Sequence, residues 1–149
     1  MKRIVLILTF LTAFVSLPNI GSDIQGMGRK DDTGPKTVHI LKTLTVYNPT
    51  TKQCDNTPFI TASNAKIDAL KLAKQQLRWI ALSRNLLKRW KGDFSYGDTV
   101  KIFAGDPAID GLWIIQDNLN KRYRDRGDLL FDRKVRRHGI WKNVQISKV

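Results

Sequence analysis

Short apolar segments with two-residue alternation, each closed by turn residues, recur from Val38 to the end of the chain, and no long helical repeat interrupts them. Val38, Ile40, Leu44 and Val46 share one parity, with Lys42 the exception; His39, Thr43, Thr45 and Tyr47 share the other. Asn48-Pro49-Thr50-Thr51 ends that strand, and a short Phe59-Ile60-Thr61 segment follows. Arg78–Leu82, Thr99–Phe103, Leu112–Ile115, Asp128–Phe131 and Ile140–Val149 read as further strands, and Leu112–Ile115 is apolar on both faces. Helical spacing predicts a helix over residues 64–77, capped by Ser63 or Asn64, and a short one over Asn85–Trp90. Asp132 is expected to cap a third helix, closed by Gly139. Five or six short strands among small helices and long loops predict an all-β, compact closed barrel.

The chemistry open to such a barrel is narrow. All 13 acidic residues are Asp, so any carboxylate work falls to Asp. One Cys excludes an internal disulfide, and one Cys with two His excludes a Cys/His zinc site within one chain. No Gly-rich phosphate loop and no Gly-x-Ser-x-Gly elbow occurs, and neither His39 nor His138 sits in a marked triad setting. No metal and no cofactor is expected.

The N-terminus points to a compartment. Lys2-Arg3 precedes an apolar run from Ile4 to Val15, then a turn-prone stretch with Pro18 and Gly21. That run is too short to span a bilayer, which takes about 20 residues. Residues 1–22 are therefore expected to be a signal peptide, 23–36 a linker, and 37–149 the folded domain of an exported, periplasmic or extracellular protein without a stable membrane span. The formal charge of +13 becomes +11 once Lys2 and Arg3 are removed. An exported cation meets wall polyanions before nucleic acid, so nucleic acid is the less favoured partner.

Asp117 and Asp128 lie 11 positions apart, across a loop rich in Lys121, Arg122, Arg124 and Arg126. Carboxylates at two neighbouring strand ends can line a cleft, and glycosidic cleavage needs one carboxylic acid, often with a second about 5–9 Å away. Spacing alone favours the plainer alternative, in which both cap turns or pair with the loop cations. Lys121 to Arg137 is the densest basic stretch and can steer an anionic glycan or form a solvated face. Trp141 and Tyr47 are candidates to stack on a sugar ring.

Several ordered segments resemble the "3D" domain, named for three aspartates: Val46-Tyr47-Asn48-Pro49-Thr50, Cys54-Asp55, Thr57-Pro58, Ile60-Thr61-Ala62-Ser63-Asn64, Ile80-Ala81-Leu82-Ser83, Tyr96-Gly97-Asp98-Thr99-Val100, Gln116–Arg122 and Gly127-Asp128-Leu129-Leu130-Phe131. The resemblance spans about residues 42–149 and implies the six-stranded double-psi β-barrel of the RlpA-like and MltA-like proteins. It implies a cell-wall protein acting on peptidoglycan, with lytic transglycosylase-like cleavage between N-acetylmuramic acid and N-acetylglucosamine. Asp128 matches the family's catalytic acid/base and Asp117 a supporting carboxylate. Asp55, Tyr47, Thr61, Lys121 and Arg122 are expected to bind substrate. The chain departs from the pattern at Ser83-Arg84, where an Asp-Pro is usual, at Leu119 in place of Gly, and at Asn64 in place of Gly. A non-catalytic peptidoglycan-binding module and a secreted polyanion-binding protein are the alternative expectations.

Overall fold

The computed structural model describes residues 38–52, 54, 57–135 and 139–149. The predicted signal peptide and linker, Asp55 and His138 lie outside the described residues. Six strands form the domain: β1 Val38–Tyr47, β2 Trp79–Leu82, β3 Thr99–Phe103, β4 Gly111–Asn118, β5 Arg126–Leu130 and β6 Trp141–Lys148. They close into a barrel in the order β1-β5-β2-β4-β3-β6, the six-stranded all-β closure expected from the sequence. β1 pairs in parallel with β5 and β2 with β4, and the other four contacts are antiparallel. Exchanging β1 with β4, β5 with β2 and β6 with β3 reproduces every pairing sense, so the ring has an internal pseudo-two-fold. Closure leaves no free sheet edge.

The interior is filled by alternate residues of all six strands, among them Leu41, Ile80, Val100, Trp113, Leu129 and Ile146. Gly127 also faces inward: a Cβ there would meet the methyl groups of Leu44, Ile80 and Leu41 at 3.0–3.2 Å. Strand alternation then turns Asp128 outward. A second, smaller cluster lies outside the barrel, where Ile67 and Leu72 cover Leu130, with Tyr47, Leu77 and Trp79 packed against them. The long β1–β2 connection is thereby pinned to the barrel wall.

Several local expectations are corrected. Val38 and Ile40 are 55% and 50% exposed, while Leu41, Thr43 and Leu44 are buried. Parity breaks at Thr43–Leu44 because β1 there begins to pair with β5 while still pairing with β6. In β4, Trp113 and Ile115 are buried but Leu112 and Ile114 face outward, so the strand is not buried on both faces. The helix predicted over 64–77 contracts to α1, Ala69–Ala73, capped by the Asp68 carboxylate through Leu70 N and Lys71 N. It cannot start earlier: Asn64 is left-handed at φ 64, and Lys66 bridges back to Ile60. The Asn85–Trp90 helix is instead two 3-10 turns, Arg84–Leu86 and Lys88–Trp90. Asp132 accepts from Lys134 N at 2.7 Å in a turn, with no helix among residues 132–135.

Gly92 closes the segment after the second 3-10 turn, and a Cβ there would collide with the backbone of Leu86 and Leu87. Backbone cannot yield as a side-chain tip can. Gly92→Ala is expected to cost about 1–3 kcal/mol, which for a domain of this size lowers Tm by at least ~4 °C. Thermal melting checks this; an unchanged Tm would mean that the loop opens freely.

Candidate functional site

A one-residue shift in strand register creates the site. β2 pairs with β4 as Ile80–Ile115 and then as Ala81–Asp117, so Gln116 is the extra residue of a bulge. The shift moves Asp117 level with Ala81. On the other side of β2, Ala81 pairs with Asp128, and beyond it Asp128 pairs with Thr45 of β1. One row across four strands therefore reads Asp117, Ala81, Asp128, Thr45. Two strand spacings separate the aspartate Cα atoms by about 10 Å, with the small Ala81 side chain as the floor between them.

An open cleft of about 890 Å³ lies over this row. Its lining brings together Tyr47, Thr61, Asp117, Arg122 and Asp128 of the expected site residues. Lys121 is exposed on the loop and is not among the lining residues. Trp141 is also elsewhere: its Nε1–H donates to Asp106 at 3.2 Å and its ring packs on the barrel core. Trp113 is core, and Trp79 and Trp90 are half-buried against the two apolar clusters.

The wall opposite the row is the turn Thr61–Asn64. Thr61 is buried and its hydroxyl lies 2.9 Å from the Ser63 hydroxyl, so it holds the turn and does not reach into the cleft as a free donor. Ser63 donates to the Gln116 side chain at 2.6 Å, and its N–H donates to the Gln116 carbonyl at 3.2 Å. The bulge residue thus clamps the wall to the floor. Ala62 N donates to Asp117 Oδ1 at 3.1 Å and Asn118 N to the same oxygen at 2.8 Å. Tyr47 OH reaches Asp117 Oδ2 at 3.4 Å. Burial, reinforced by Asp117, Cys54 and Asp128, pushes the Tyr47 phenol up, so it remains a donor.

Asp128 is placed differently. The Thr45 hydroxyl donates to its Oδ1. Burial raises its pKa above the ordinary carboxylate value, against the opposing pull of the Thr45 bond and the Arg126 charge. Desolvation outweighs the loop cations, as a general acid needs. Asp117 is occupied as an acceptor of N–H groups, whereas Asp128 is a half-buried carboxyl held toward its protonated form. Two carboxyls in one cleft with such separate surroundings can take separate roles.

A carboxyl whose pKa is raised by folding stabilises the fold only where it is protonated. Its contribution is full below the unfolded carboxylate value, about 3.9, and is lost as pH rises through the higher folded value. Asp128→Asn should therefore melt above the wild type at pH 7, and the gap should close toward pH 4. A variant less stable than wild type at pH 7 would mean that Asp128 is held ionised by a partner.

Three lining or supporting residues were not singled out as site residues from the sequence. Thr45 had a signal, since it shares the parity of Tyr47 on β1. Asn118, whose Oδ1 accepts from Tyr96 OH at 2.5 Å, and Arg84 had none beyond their neighbours in the chain. Among the described residues there is no cluster of His, Cys and Asp suited to a metal ion, and no helix is long and apolar enough to cross a membrane.

Fold and cleft together define an all-β barrel protein with a carboxylate-bearing cleft over one bulged strand. Compared with protein-family models and with curated proteins, the chain finds no match.

Proposed function

We propose that this barrel is an exported cell-wall protein of the 3D-domain kind that cleaves peptidoglycan glycan strands as a lytic transglycosylase. The observation that carries the reading is Asp128: a carboxyl raised by desolvation, on an open cleft, with a second carboxyl one strand beyond Ala81. Asp128 protonates the oxygen between N-acetylmuramic acid and N-acetylglucosamine, and the bond to the anomeric carbon breaks. The resulting carboxylate then takes the proton from the muramic acid 6-hydroxyl, whose oxygen closes on the anomeric carbon. Water is not consumed, and the acid form of Asp128 is regenerated. Asp117 orders the Thr61–Asn64 wall and sets negative charge beside the developing cation. Arg122 and Tyr47 face the glycan from the loop and from β1.

A non-catalytic wall-binding module is the second reading. It is favoured by the engagement of Asp117 Oδ1 by two backbone N–H groups, which commits the second carboxylate of the cleft to holding its wall. Incubating the purified mature protein with insoluble wall separates the readings. Soluble muropeptides support cleavage. No products, with wall binding that survives high salt, supports the binding module. Binding abolished by salt and equal for DNA would leave only general polyanion attraction.

A further inference from the structure

Arg84 carries a charge that no carboxylate among the described residues balances. It follows β2, and its neighbours are stitched to the β4–β5 loop: Ser83 Oγ accepts from Arg126 N at 3.0 Å, and Asn85 Nδ2 donates to Asp125 Oδ1 at 2.7 Å. Leu119 N donates to the Leu82 carbonyl at 3.0 Å, so the start of that loop is tied to the end of β2 as well. Arg84 is therefore carried on a braced turn, and it lines the same cleft as Asp117, Asn118, Arg122 and Asp128. Its guanidinium stacks 5.0 Å from the Trp90 ring centre, which fixes the plane without using an N–H. Its Nε is buried and has no hydrogen-bond partner among the described residues. Among the described residues no carboxylate pairs with it. The second lining arginine, Arg122, is likewise held by an aromatic residue: Nη2 donates to Tyr123 OH at 2.8 Å and the group lies 4.8 Å from that ring.

The Arg84 guanidinium lines the cleft, and no carboxylate among the described residues balances it, so the cleft wall carries a cationic donor group open to an anionic acceptor. The end of a guanidinium, its two Nη groups, matches the two oxygens of a carboxylate. We infer that the Arg84 wall of the cleft is a carboxylate-binding subsite, so that the cleft takes an acidic ligand and discriminates against a neutral one of the same shape. Naming that ligand as a glycan bearing a carboxylate rests on the proposed function; the subsite itself does not. Arg122 adds positive charge to the same cleft.

The test follows the Arg84 Nε–H signal by NMR while the mature protein is titrated. The probes are a tetrasaccharide of alternating N-acetylglucosamine and N-acetylmuramic acid with free lactyl carboxylates, neutral chitotetraose, an alanyl-glutamate dipeptide and acetate. The expected result is a downfield shift at Arg84 with carboxylate-bearing probes and none with chitotetraose. The acidic tetrasaccharide should bind at least about tenfold more tightly than the neutral one. Arg84→Gln should bring the two affinities within about twofold, and Arg84→Lys should restore little, because an ammonium lacks the paired donors. A shift with the dipeptide but not the tetrasaccharide assigns the carboxylate to a peptide stem; the reverse assigns it to the sugar. A shift with acetate while neither oligosaccharide binds keeps the subsite and sinks the glycan reading. No shift at Arg84 with any carboxylate overturns the subsite, as does equal binding of both tetrasaccharides to the wild type when neither the dipeptide nor acetate shifts Arg84. A thermal melt of Arg84→Gln, expected within a few degrees of wild type, confirms that a lost preference is not a lost fold.

Discussion

Asp128→Asn should release anhydro-muropeptides about 10²–10⁴-fold more slowly than wild type, the usual effect of removing one general acid/base. The substitution preserves volume and leaves an oxygen to accept from Thr45, so the row across β1, β5, β2 and β4 keeps its geometry. What it removes is the titratable carboxyl, whose pKa burial raises above the ordinary carboxylate value. Binding to wall glycan should change little, since binding is assigned to the cleft walls and not to that carboxyl. The same variant is expected to melt higher at neutral pH, so a loss of activity with gained stability would isolate the chemical role. Equal rates from variant and wild type would move the chemistry to another carboxyl. Asp117 is the next candidate, although its oxygens already hold Ala62 N and Asn118 N.

Deleting residues 141–149 should abolish cooperative unfolding. β6 closes the barrel by pairing with β1 on one side and with β3 on the other. Its Val144 and Ile146 are 1% and 0% exposed. Each fully buried aliphatic side chain contributes about 1.5–3 kcal/mol. The deletion also strips the ladder partners from two strands at once and opens the interior to water. Those losses together exceed much of the about 5–15 kcal/mol that holds a domain. Circular dichroism during heating, or proton NMR dispersion at 25 °C, reads the outcome. A truncated chain with a sharp transition near the wild-type temperature would mean that β6 is peripheral to the closed ring.

The strands were legible where alternation is strong and turns are marked. Thr99–Phe103 follows the predicted bounds because Gly97-Asp98 opens it and its Val100 and Ile102 alternate inward. The helix over 64–77 misled because its three-to-four spacing is real, but Ile67 and Leu72 serve a patch on the barrel wall, and the first residues are drawn into the Thr61 turn. Outward-facing apolar residues also blurred parity: Leu112 and Ile114 made β4 look buried on both faces. The candidate site was only partly readable. Eleven-residue spacing allowed Asp117 and Asp128 to line one cleft but by itself favoured turn caps or loop ion pairs; the device that aligns them is the bulge at Gln116, which arises from register with β2 and leaves no local sequence mark. Nor does local pattern reveal that Thr61 is buried in its own turn, or that Arg84 emerges on the cleft, since both depend on how distant loops are tied together.

The most direct test is digestion of purified wall by the wild-type protein in water enriched in oxygen-18, followed by mass analysis of the released sugars. Intramolecular closure by the muramic acid 6-hydroxyl predicts 1,6-anhydro products that carry no heavy oxygen and lie 18 Da below the unlabelled hydrolysed form, with Asp128→Asn releasing almost none. Reducing-end products that carry one heavy oxygen would contradict it, because water, activated by a second carboxylate, would then be the nucleophile.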